Sequence, residues 1–468
     1  MTIAPGEALA ALWSSAGLRA QALAAAVLGG AEPVLPSSFA VGTAAQAALA
    51  AAALAAAEVG RLRNGVEQQV AVDMREAALE CCGYFTVDGE APVAWDPIAG
   101  LYPCGAAGQG GWIRLHTNFA HHRDGVLRLL GLPAGPGSER SAVAATLTRW
   151  TAHAFEAAAT EAGLVVAALR THEEWLAHPQ AAAVAALSLI EIERIGDAPP
   201  LPWPALPPSA RPLDGLRVLD LTRILAGPVA GRTLAAYGAD VMLVNSPHLP
   251  NIDAIADTSR GKRSALADLR SSAGRAALRS VVAEAHVFLQ GYRPGSMAAL
   301  GFGVDNVVRL RPGIVCASLS AYGRLGPWSA RRGFDSLVQT ATGFNVDEAG
   351  GAGVSTPKAL PMQILDMASG FLLAFGIAAA LGRQRQEGGS WHVQVSLART
   401  GQWLRELGRV EGGSSTPPPD FASQLETTAS GYGALTALRH AARFTQTPAA
   451  YSRASARPGS DPLSWSAP

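Results

Sequence analysis

Between residues 213 and 410, apolar positions follow two kinds of pattern, one typical of strands and one typical of helices. Runs of four to eight apolar residues predict strands, and stretches with helical spacing separate them. Strands joined through helices by short connections form right-handed crossovers, so the pattern predicts a parallel sheet with helices on both faces. The predicted strands are 216–221, 240–245, 286–290, 313–320 and 392–397, and the predicted helices are 229–237, 272–284, 334–344 and 367–385.

The turn after the first of these strands reads Ala-Gly-Pro-Val-Ala-Gly at 226–231. It lacks the G-x-G-x-x-G spacing that lets a backbone approach a dinucleotide pyrophosphate. We therefore expect a doubly wound sheet with no nicotinamide, flavin or other prosthetic group.

The N-terminal half contains an amphipathic helix predicted at 7–28 and an internal repeat. An Ala-rich helix at 44–63 ends in Gly-Arg-Leu-Arg and leads to a strand at 69–74. The predicted helix 367–385 contains Gly-Arg-Gln-Arg near its end and also leads to a strand, which favours duplication of one unit. At an offset of 322 residues, Ala44 would lie opposite Asp366.

Composition divides the chain into four parts. Residues 197–212 contain seven prolines, which predicts an extended linker between an N-terminal part, 1–196, and a C-terminal part, 213–410. After residue 411 the periodicity is lost, and Pro, Ser, Ala and Arg dominate from residue 445. We therefore expect a partly disordered tail over 411–468.

Charge and cysteine content exclude several classes of protein. The 468 residues include 37 Lys plus Arg and 37 Asp plus Glu, so no excess of charge favours nucleic acid or a membrane surface. Four cysteines form no disulfide or zinc pattern. The apolar runs at 47–57 and 371–382 are shorter than the ~20 residues that span a bilayer. These features predict a cytoplasmic enzyme with neither a nucleic acid nor a membrane as partner.

Eight short motifs, in order along residues 211–400, resemble the family III CoA-transferases, which include formyl-CoA transferase, carnitine CoA-transferase and the α-methylacyl-CoA racemases. The motifs are Arg-Pro-Leu-Asp-Gly-Leu at 211–216, Ala-Gly-Pro at 226–228, Tyr-Gly-Ala-Asp-Val at 237–241, Gly-Lys-Arg-Ser at 261–264, Gly-Tyr-Arg-Pro-Gly at 291–295, Ser-Leu-Ser-Ala-Tyr-Gly at 318–323, Gly-Phe-Asp at 333–335 and Ile-Leu-Asp-Met-Ala-Ser-Gly at 364–370.

This resemblance implies an α/β fold, with a Rossmann-like parallel sheet and flanking helices plus a smaller α/β domain. Residues 95–114 and 171–180 resemble the rear portion of the family, so the chain carries family segments in swapped order. Because family members form interlocked dimers, the resemblance also implies a homodimer.

The resemblance assigns the catalytic role to Asp366. In the family, this carboxylate attacks an acyl-CoA to form an anhydride, and then an aspartyl-CoA thioester passes CoA to an acceptor acid. The function implied is that of an acyl-CoA:carboxylate CoA-transferase. The sequence places Asp366 just before the predicted helix 367–385, where it can act as N-cap.

CoA itself requires cationic side chains and turn glycines, because its phosphates need charged donors and close backbone approach. Arg293 follows the third predicted strand, at the sheet edge where open α/β sheets bind ligands. No metal site is predicted. The residues assigned to CoA are Arg293, Lys262, Arg263, Gly295, Tyr292, Tyr322 and Gly323.

Two alternatives stay open from the sequence. The racemase branch carries a proton-transferring histidine where this chain has Phe334, which favours transfer, although an isomerase with other acid–base residues is possible. A degenerate CoA-binding subunit is the second alternative. His116, His121 and His122 match no metal-ligand pattern and are predicted to be solvated or to cap helices.

Overall fold

The computed structural model describes residues 2–465. The part before residue 197 contains one long helix, several shorter helices and short strands. The helices are α1 (Pro5–Ser15), α2 (Val41–Asn64), α3 (Met74–Cys82), α4 (Ala120–Leu129), α5 (Arg140–Leu147), α6 (Ala152–Glu161), α7 (His172–Ala177) and α8 (Pro179–Ala185). The strands are β1 (Ala26–Gly29), β2 (Val70–Asp73), β3 (Phe85–Val87), β4 (Gly100–Pro103), β5 (Trp112–Leu115), β6 (Val166–Ala168) and β7 (Glu191–Gly196).

After residue 212, strands and helices alternate, and three short strands follow. The strands are β8 (Arg217–Leu221), β9 (Asp240–Asn245), β10 (Lys262–Leu266), β11 (Val287–Gln290), β12 (Val315–Ser320), β13 (Ser390–Ser396), β14 (Leu425–Ser430), β15 (Gly433–Leu438) and β16 (Ala442–Phe444). The helices are α9 (Ala226–Ala236), α10 (Ile255–Thr258), α11 (Ser272–Val282), α12 (Ser296–Ala299), α13 (Val304–Leu310), α14 (Asp335–Ala341), α15 (Phe344–Gly351), α16 (Ile364–Glu387) and α17 (Leu397–Glu406).

The main sheet has seven strands in the order β10-β9-β8-β11-β12-β13-β7. All neighbouring strands are parallel except β13 and β7, so the predicted parallel α/β sheet is confirmed. The sequence pattern missed both edge strands. Charged residues interrupt the apolar runs of β7 and β10, which suits strands that pair on one side only.

A smaller α/β unit contains the antiparallel sheet β4-β5-β6, covered by α4, α5 and α6. Its core is a separate apolar cluster that includes Ile113, Val126 and Phe155. The smaller domain implied by the resemblance is therefore present. The segment 197–212 forms neither helix nor strand.

The core of the molecule is built around α2 and α16, which pack along each other. Each helix has 24 residues, and nearly every residue of both is buried. By length and composition alone, both are also candidate membrane spans, with 94% and 100% of their apolar windows buried inside the protein. Their many Ala and Gly residues allow neighbouring backbones to approach closely, so both apolar helices can pack tightly inside the folded core.

The structure confirms the internal repeat and corrects its alignment. In both copies a 24-residue helix is followed by a strand that runs directly into another helix, β2–α3 in one and β13–α17 in the other. The helix boundaries correspond at an offset of 323 residues, so Thr43, not Ala44, lies opposite Asp366. The residues before the two helices, Ala40 and Gln363, share the same backbone conformation, with φ near −80° and ψ 60°.

Two predicted segments differ from the structure. The helix expected at 7–28 ends at Ser15, because Gly17 turns the chain with φ +63°, and residues 26–29 form a strand. The expected tail contains three strands: β14 pairs with β15, β15 also pairs with β3, and β16 pairs with β2. Trp465 is buried and donates a hydrogen bond to the Val281 carbonyl, so the chain after residue 445 packs on the main sheet unit.

The close approach of α16 to α9 predicts opposite effects for two glycines of α16. A Cβ at Gly370 would lie 2.6 Å from the Ala226 carbonyl oxygen, whereas a Cβ at Gly382 would meet its nearest neighbour, Leu62, at 3.6 Å. We expect Gly370→Ala to lower the free energy of unfolding by ~1–3 kcal/mol. Gly382→Ala should raise it by up to ~1 kcal/mol through helix propensity. Urea unfolding of the two variants checks this, and equal effects would contradict the packing.

Candidate active site

A cleft of about 610 Å³ lies at the carboxyl ends of strands β8 to β12. One wall comes from the loops that follow these strands. The opposite wall comes from the N-terminal part, through Phe119, His121, His122 and Val165. Ligands of open α/β sheets bind at this edge, so the cleft is the natural candidate for a substrate site.

The cleft is rich in cationic side chains. Arg223, Arg293 and Arg332 donate to the Pro250 carbonyl, the Ser296 hydroxyl and the Gly163 carbonyl, respectively, and none of the three pairs with a carboxylate among residues 2–465. The carboxylate in the lining is that of Asp268, which pairs with His248 and Arg270. Three arginines without acidic partners make the cleft suited to an anionic ligand.

The strand order determines the length of the cleft and which residues lie at its two ends. Four strand spacings separate β10 from β12, or about 19 Å. Leu269 and Arg270, after β10, lie at one end, and Leu319 and Ser320, in β12, lie at the other. Phe334 lines the cleft and directly precedes Asp335, so the cleft borders the segment that carries the buried carboxylates.

Asp335 and Asp366 form a buried carboxylate pair at the start of α16. The Asp335 carboxylate accepts a hydrogen bond from the backbone N–H of Asp366 at 2.9 Å and another from the Gln339 amide at 2.5 Å. Asp335 is fully buried, and Asp366 is 8% exposed.

The expected N-cap role of Asp366 is wrong. Helix α16 begins at Ile364, so Asp366 is its third residue, and it is Asp335 that satisfies a free N–H group of the first turn. The Asp366 side chain accepts no hydrogen bond from the described residues. Its carboxylate is therefore available for chemistry.

Burial raises the pKa of both carboxyl groups. The pKa of Asp335 is raised to about 6 by desolvation, against the opposing effect of the hydrogen bonds it accepts. The pKa of Asp366 is raised well above its usual range, first by desolvation and then by the neighbouring charge of Asp335. Two carboxylates this close cannot both ionise easily, so the pair titrates as a unit.

His116 and His122 are buried rather than solvated, contrary to the sequence prediction, whereas His121 is exposed as predicted. His116 and His122 are each 5% exposed, and burial lowers the pKa of their imidazoles to about 3 and about 4. The His116 ring stacks on Phe334 with 3.8 Å between centroids. Within residues 2–465, no group of His, Cys, Asp or Glu side chains could hold a metal ion.

Four residues predicted to contact CoA lie at or beside cavities on the expected edge of the sheet. Arg293 and Tyr292 line the large cleft, and Gly295 turns the same loop with φ +83°. Gly323 lines an adjoining cavity of about 250 Å³, which shares Tyr292 with the cleft. Their contacts with CoA stay a prediction.

Three others lie elsewhere. Lys262 is fully buried, and its ammonium group pairs with Asp220 at 2.8 Å. Arg263 pairs with Asp240 at 2.7 Å, and both basic residues belong to the amino end of β10, opposite the cleft. Tyr322 is 1% exposed and packs edge-on against Trp328. These positions do not support the expected contacts of the three side chains with CoA.

Sequence reasoning did not assign several residues that the fold brings to the site. Asp335 lies within the quoted Gly-Phe-Asp motif, so a signal existed for it. His122, Arg223 and Arg332 had no comparable signal, because their position in the cleft depends on how the N-terminal part packs on the sheet.

Strain marks the loop that follows β8. Ile224 has φ +77°, a conformation that is costly for a β-branched residue, and it lines the cleft. Such outliers cost about 1–3 kcal/mol and persist where surrounding structure holds them, often at functional sites.

Comparisons with known proteins show what the chain is similar to. Residues 213–410 match the sequence model of the family described as CoA-transferase family III. Residues 213–410 are therefore similar to the family III CoA-transferases.

Two curated relatives and a crystal structure show how far the similarity extends. The chain is 32% identical to an acetyl-coenzyme A transferase of Hypoxylon pulicicidum over 63% of this chain and 53% of the relative. It is 31% identical to a succinate–glutarate CoA-transferase of Agrobacterium fabrum over 41% and 52%. A crystal structure of a Mycobacterium tuberculosis protein is 33% identical over 47% and 62%, with a TM-score of 0.38. The chain spans about half the length of these curated relatives.

The carboxylate pair predicts a specific dependence of stability on pH. Isolated carboxyl groups titrate near pH 4, and the pKa of Asp335 in the folded protein is about 6. Between these values the native state binds more protons than the unfolded chain, so the pair's contribution to stability is present below pH 4 and lost as pH rises through 6. Asp335→Asn should flatten this slope.

Urea unfolding between pH 4.5 and 7 measures the slope. Asp305→Asn, at an exposed carboxylate of α13, serves as the matched control and should follow the wild type. A slope unchanged by Asp335→Asn would show that the pair does not share protons in the native state.

Proposed function

We propose that this protein transfers CoA from an acyl-CoA to a carboxylic acid, with Asp366 as the nucleophile. The observation that carries the proposal is the buried Asp335–Asp366 pair at the border of a cationic cleft. The family III match over residues 213–410 and the names of the relatives support the same class of reaction.

The chemistry follows from a nucleophilic carboxylate. An oxygen of ionised Asp366 attacks the thioester carbonyl carbon, and the C–S bond breaks to release CoA thiolate and leave an aspartyl anhydride. The thiolate then attacks the aspartyl carbonyl, which frees the donor acid and forms an aspartyl-CoA thioester. The acceptor carboxylate reverses these steps. Covalent catalysis replaces one difficult exchange by several easier ones.

The neighbouring residues support this role. Asp335 holds the first turn of α16 by its hydrogen bond to the Asp366 N–H, so the nucleophile is fixed against the end of a buried helix. Desolvation and then the negative charge of Asp335 raise the pKa of Asp366, which makes the ionised Asp366 more basic and therefore more nucleophilic. The free N–H groups at the helix start stabilise negative charge there.

Asp366→Asn should abolish CoA transfer while the fold and the binding of acyl-CoA are retained. The amide is nearly isosteric but cannot form the anhydride. The wild-type protein incubated with acyl-CoA should show a hydroxylamine-sensitive adduct on the peptide 364–370, and the variant should show none. Asp347→Asn, at a carboxylate that pairs with Arg405, is the control and should transfer normally. Near wild-type transfer by Asp366→Asn would exclude Asp366 as the nucleophile.

An acyl-CoA isomerase is the second candidate, favoured by one contact. His116 stacks on Phe334, which stands at the position of the proton-transferring histidine in the racemase branch, so an imidazole lies against the residue that precedes Asp335. Exchange of the substrate α-proton in deuterated water without transfer to a labelled acid would favour isomerisation. CoA binding with neither reaction would favour a non-catalytic subunit.

Arg293→Ala should weaken acyl-CoA binding. A charge-assisted hydrogen bond to phosphate contributes ~1.5–3 kcal/mol, equivalent to about 10- to 150-fold in Kd. The acceptor acid, which lacks the phosphates, should be affected less. Titration calorimetry with acyl-CoA measures the change, and Arg309→Ala, on α13 outside the cleft, is the control. An unchanged Kd in the folded variant would show that Arg293 does not contact CoA and only forms part of a turn.

We also propose that the chain forms a homodimer, on the basis of the family resemblance. Helix α2 already packs along α16 within the chain, so a dimer would use other surfaces. Light scattering at micromolar concentration should give twice the 48.1 kDa mass of the chain. A monomeric mass would indicate that the swapped segments complete the unit within one chain.

A further inference from the structure

His122 is a buried histidine whose hydrogen-bonding capacity is unused. The residue is 5% exposed, and both ring nitrogens are buried without a hydrogen-bond partner among the described residues. A buried polar group left unpaired destabilises the folded protein, because its lost hydrogen bonds to water are not replaced. Native proteins keep few such groups, and a catalytic role is one of the reasons for which they do.

The position of His122 identifies where such a ligand would bind. His122 lines the 610 Å³ cleft on the wall that comes from α4. Its ring lies 6.3 Å from that of Phe334, which directly precedes Asp335. It therefore lies in the part of the cleft that Phe334 lines.

The side chains around His122 define the chemistry of its partner. His121 lies 4.1 Å away between ring centroids, Phe119 lies 5.8 Å away, and the charges of Arg223 and Arg332 act on the ring. No carboxylate acts on it in the same way. Burial and these cations lower the pKa of His122 to about 4, so at neutral pH the ring is uncharged. A neutral imidazole offers one N–H donor and one acceptor.

We propose that His122 donates a hydrogen bond to the oxygen of the reacting acyl group. The acceptor is first the carbonyl oxygen of the donor thioester and later a carboxylate oxygen of the acceptor acid. This inference rests on the proposed CoA transfer and adds a second catalytic residue, supplied by the N-terminal part of the chain. The neighbouring arginines favour the negative charge that develops on this oxygen.

A donor in this place stabilises the tetrahedral intermediate more than the bound substrate. The carbonyl oxygen gains negative charge when the Asp366 oxygen attacks, and a fixed, desolvated donor is strongest at that point. Loss of one such donor typically costs about 10²–10³-fold in kcat. The KM for acyl-CoA should change little, because most of its binding energy comes from the CoA portion.

The experiment compares His122→Ala, His122→Gln and the exposed control His153→Gln. We expect His122→Ala to lower kcat by 10²–10³-fold with an unchanged Kd for free CoA, and His122→Gln to recover part of the rate because its amide also donates. The control should behave as wild type. A His122→Ala variant that is folded and retains wild-type kcat would overturn the proposal, and so would a loss of CoA binding that matches the loss of rate.

A second measurement separates this proposal from the function itself. In protein labelled with ¹⁵N-histidine, the ring signals of His122, assigned by their absence from His122→Gln, should shift when acyl-CoA binds to the Asp366→Asn variant. Shifted signals, together with a wild-type protein that transfers no CoA, would support the contact and contradict the proposed function. Unshifted signals with acyl-CoA bound would overturn the role of His122, even if Asp366 proves to be the nucleophile.

Discussion

The burial of helix α16 over residues 364–382 is the constraint on which the rest of the structure depends. A helix start leaves N–H groups without partners, and water cannot reach them in the core between α2 and the sheet. Asp335 supplies the missing acceptor through its hydrogen bond to the Asp366 N–H. This solution places one carboxylate beside another in a dry environment. The raised pKa values of the pair are therefore a direct consequence of how the core helix is capped.

The repeated unit shows the same constraint without the chemistry. At the start of α2, the Glu32 carboxylate accepts a hydrogen bond from the backbone N–H of Thr43 at 2.8 Å, as Asp335 does for Asp366. Burial raises the pKa of Glu32 as well. Because the position that corresponds to Asp366 is a threonine, this copy has a capping carboxylate but no second one. Helix capping and the nucleophile are thus separable features of one fold.

The cleft joins two parts of the chain that are distant in sequence. The strand ends of the main sheet supply Arg293 and Arg332, and the small α/β unit supplies Phe119 and His122. The cleft therefore lies between residues 213–410, which match the family III model, and the part of the chain that precedes the proline-rich linker. A site assembled in this way requires both parts, although the family match covers only residues 213–410.

The sequence by itself determined the parallel sheet, the duplicated helix–strand unit, and the motif that carries Asp366, because periodicity and short motifs are local properties. It also predicted that Arg293 follows a strand end. Only the tertiary structure decided which charged residues face the cleft. Lys262 lies at the amino end of β10 and pairs with Asp220 in the core, whereas His122 reaches the cleft from a separate unit. The direction of a side chain relative to the sheet edge, and its depth below the surface, follow from strand register and helix packing, which a single sequence does not encode locally.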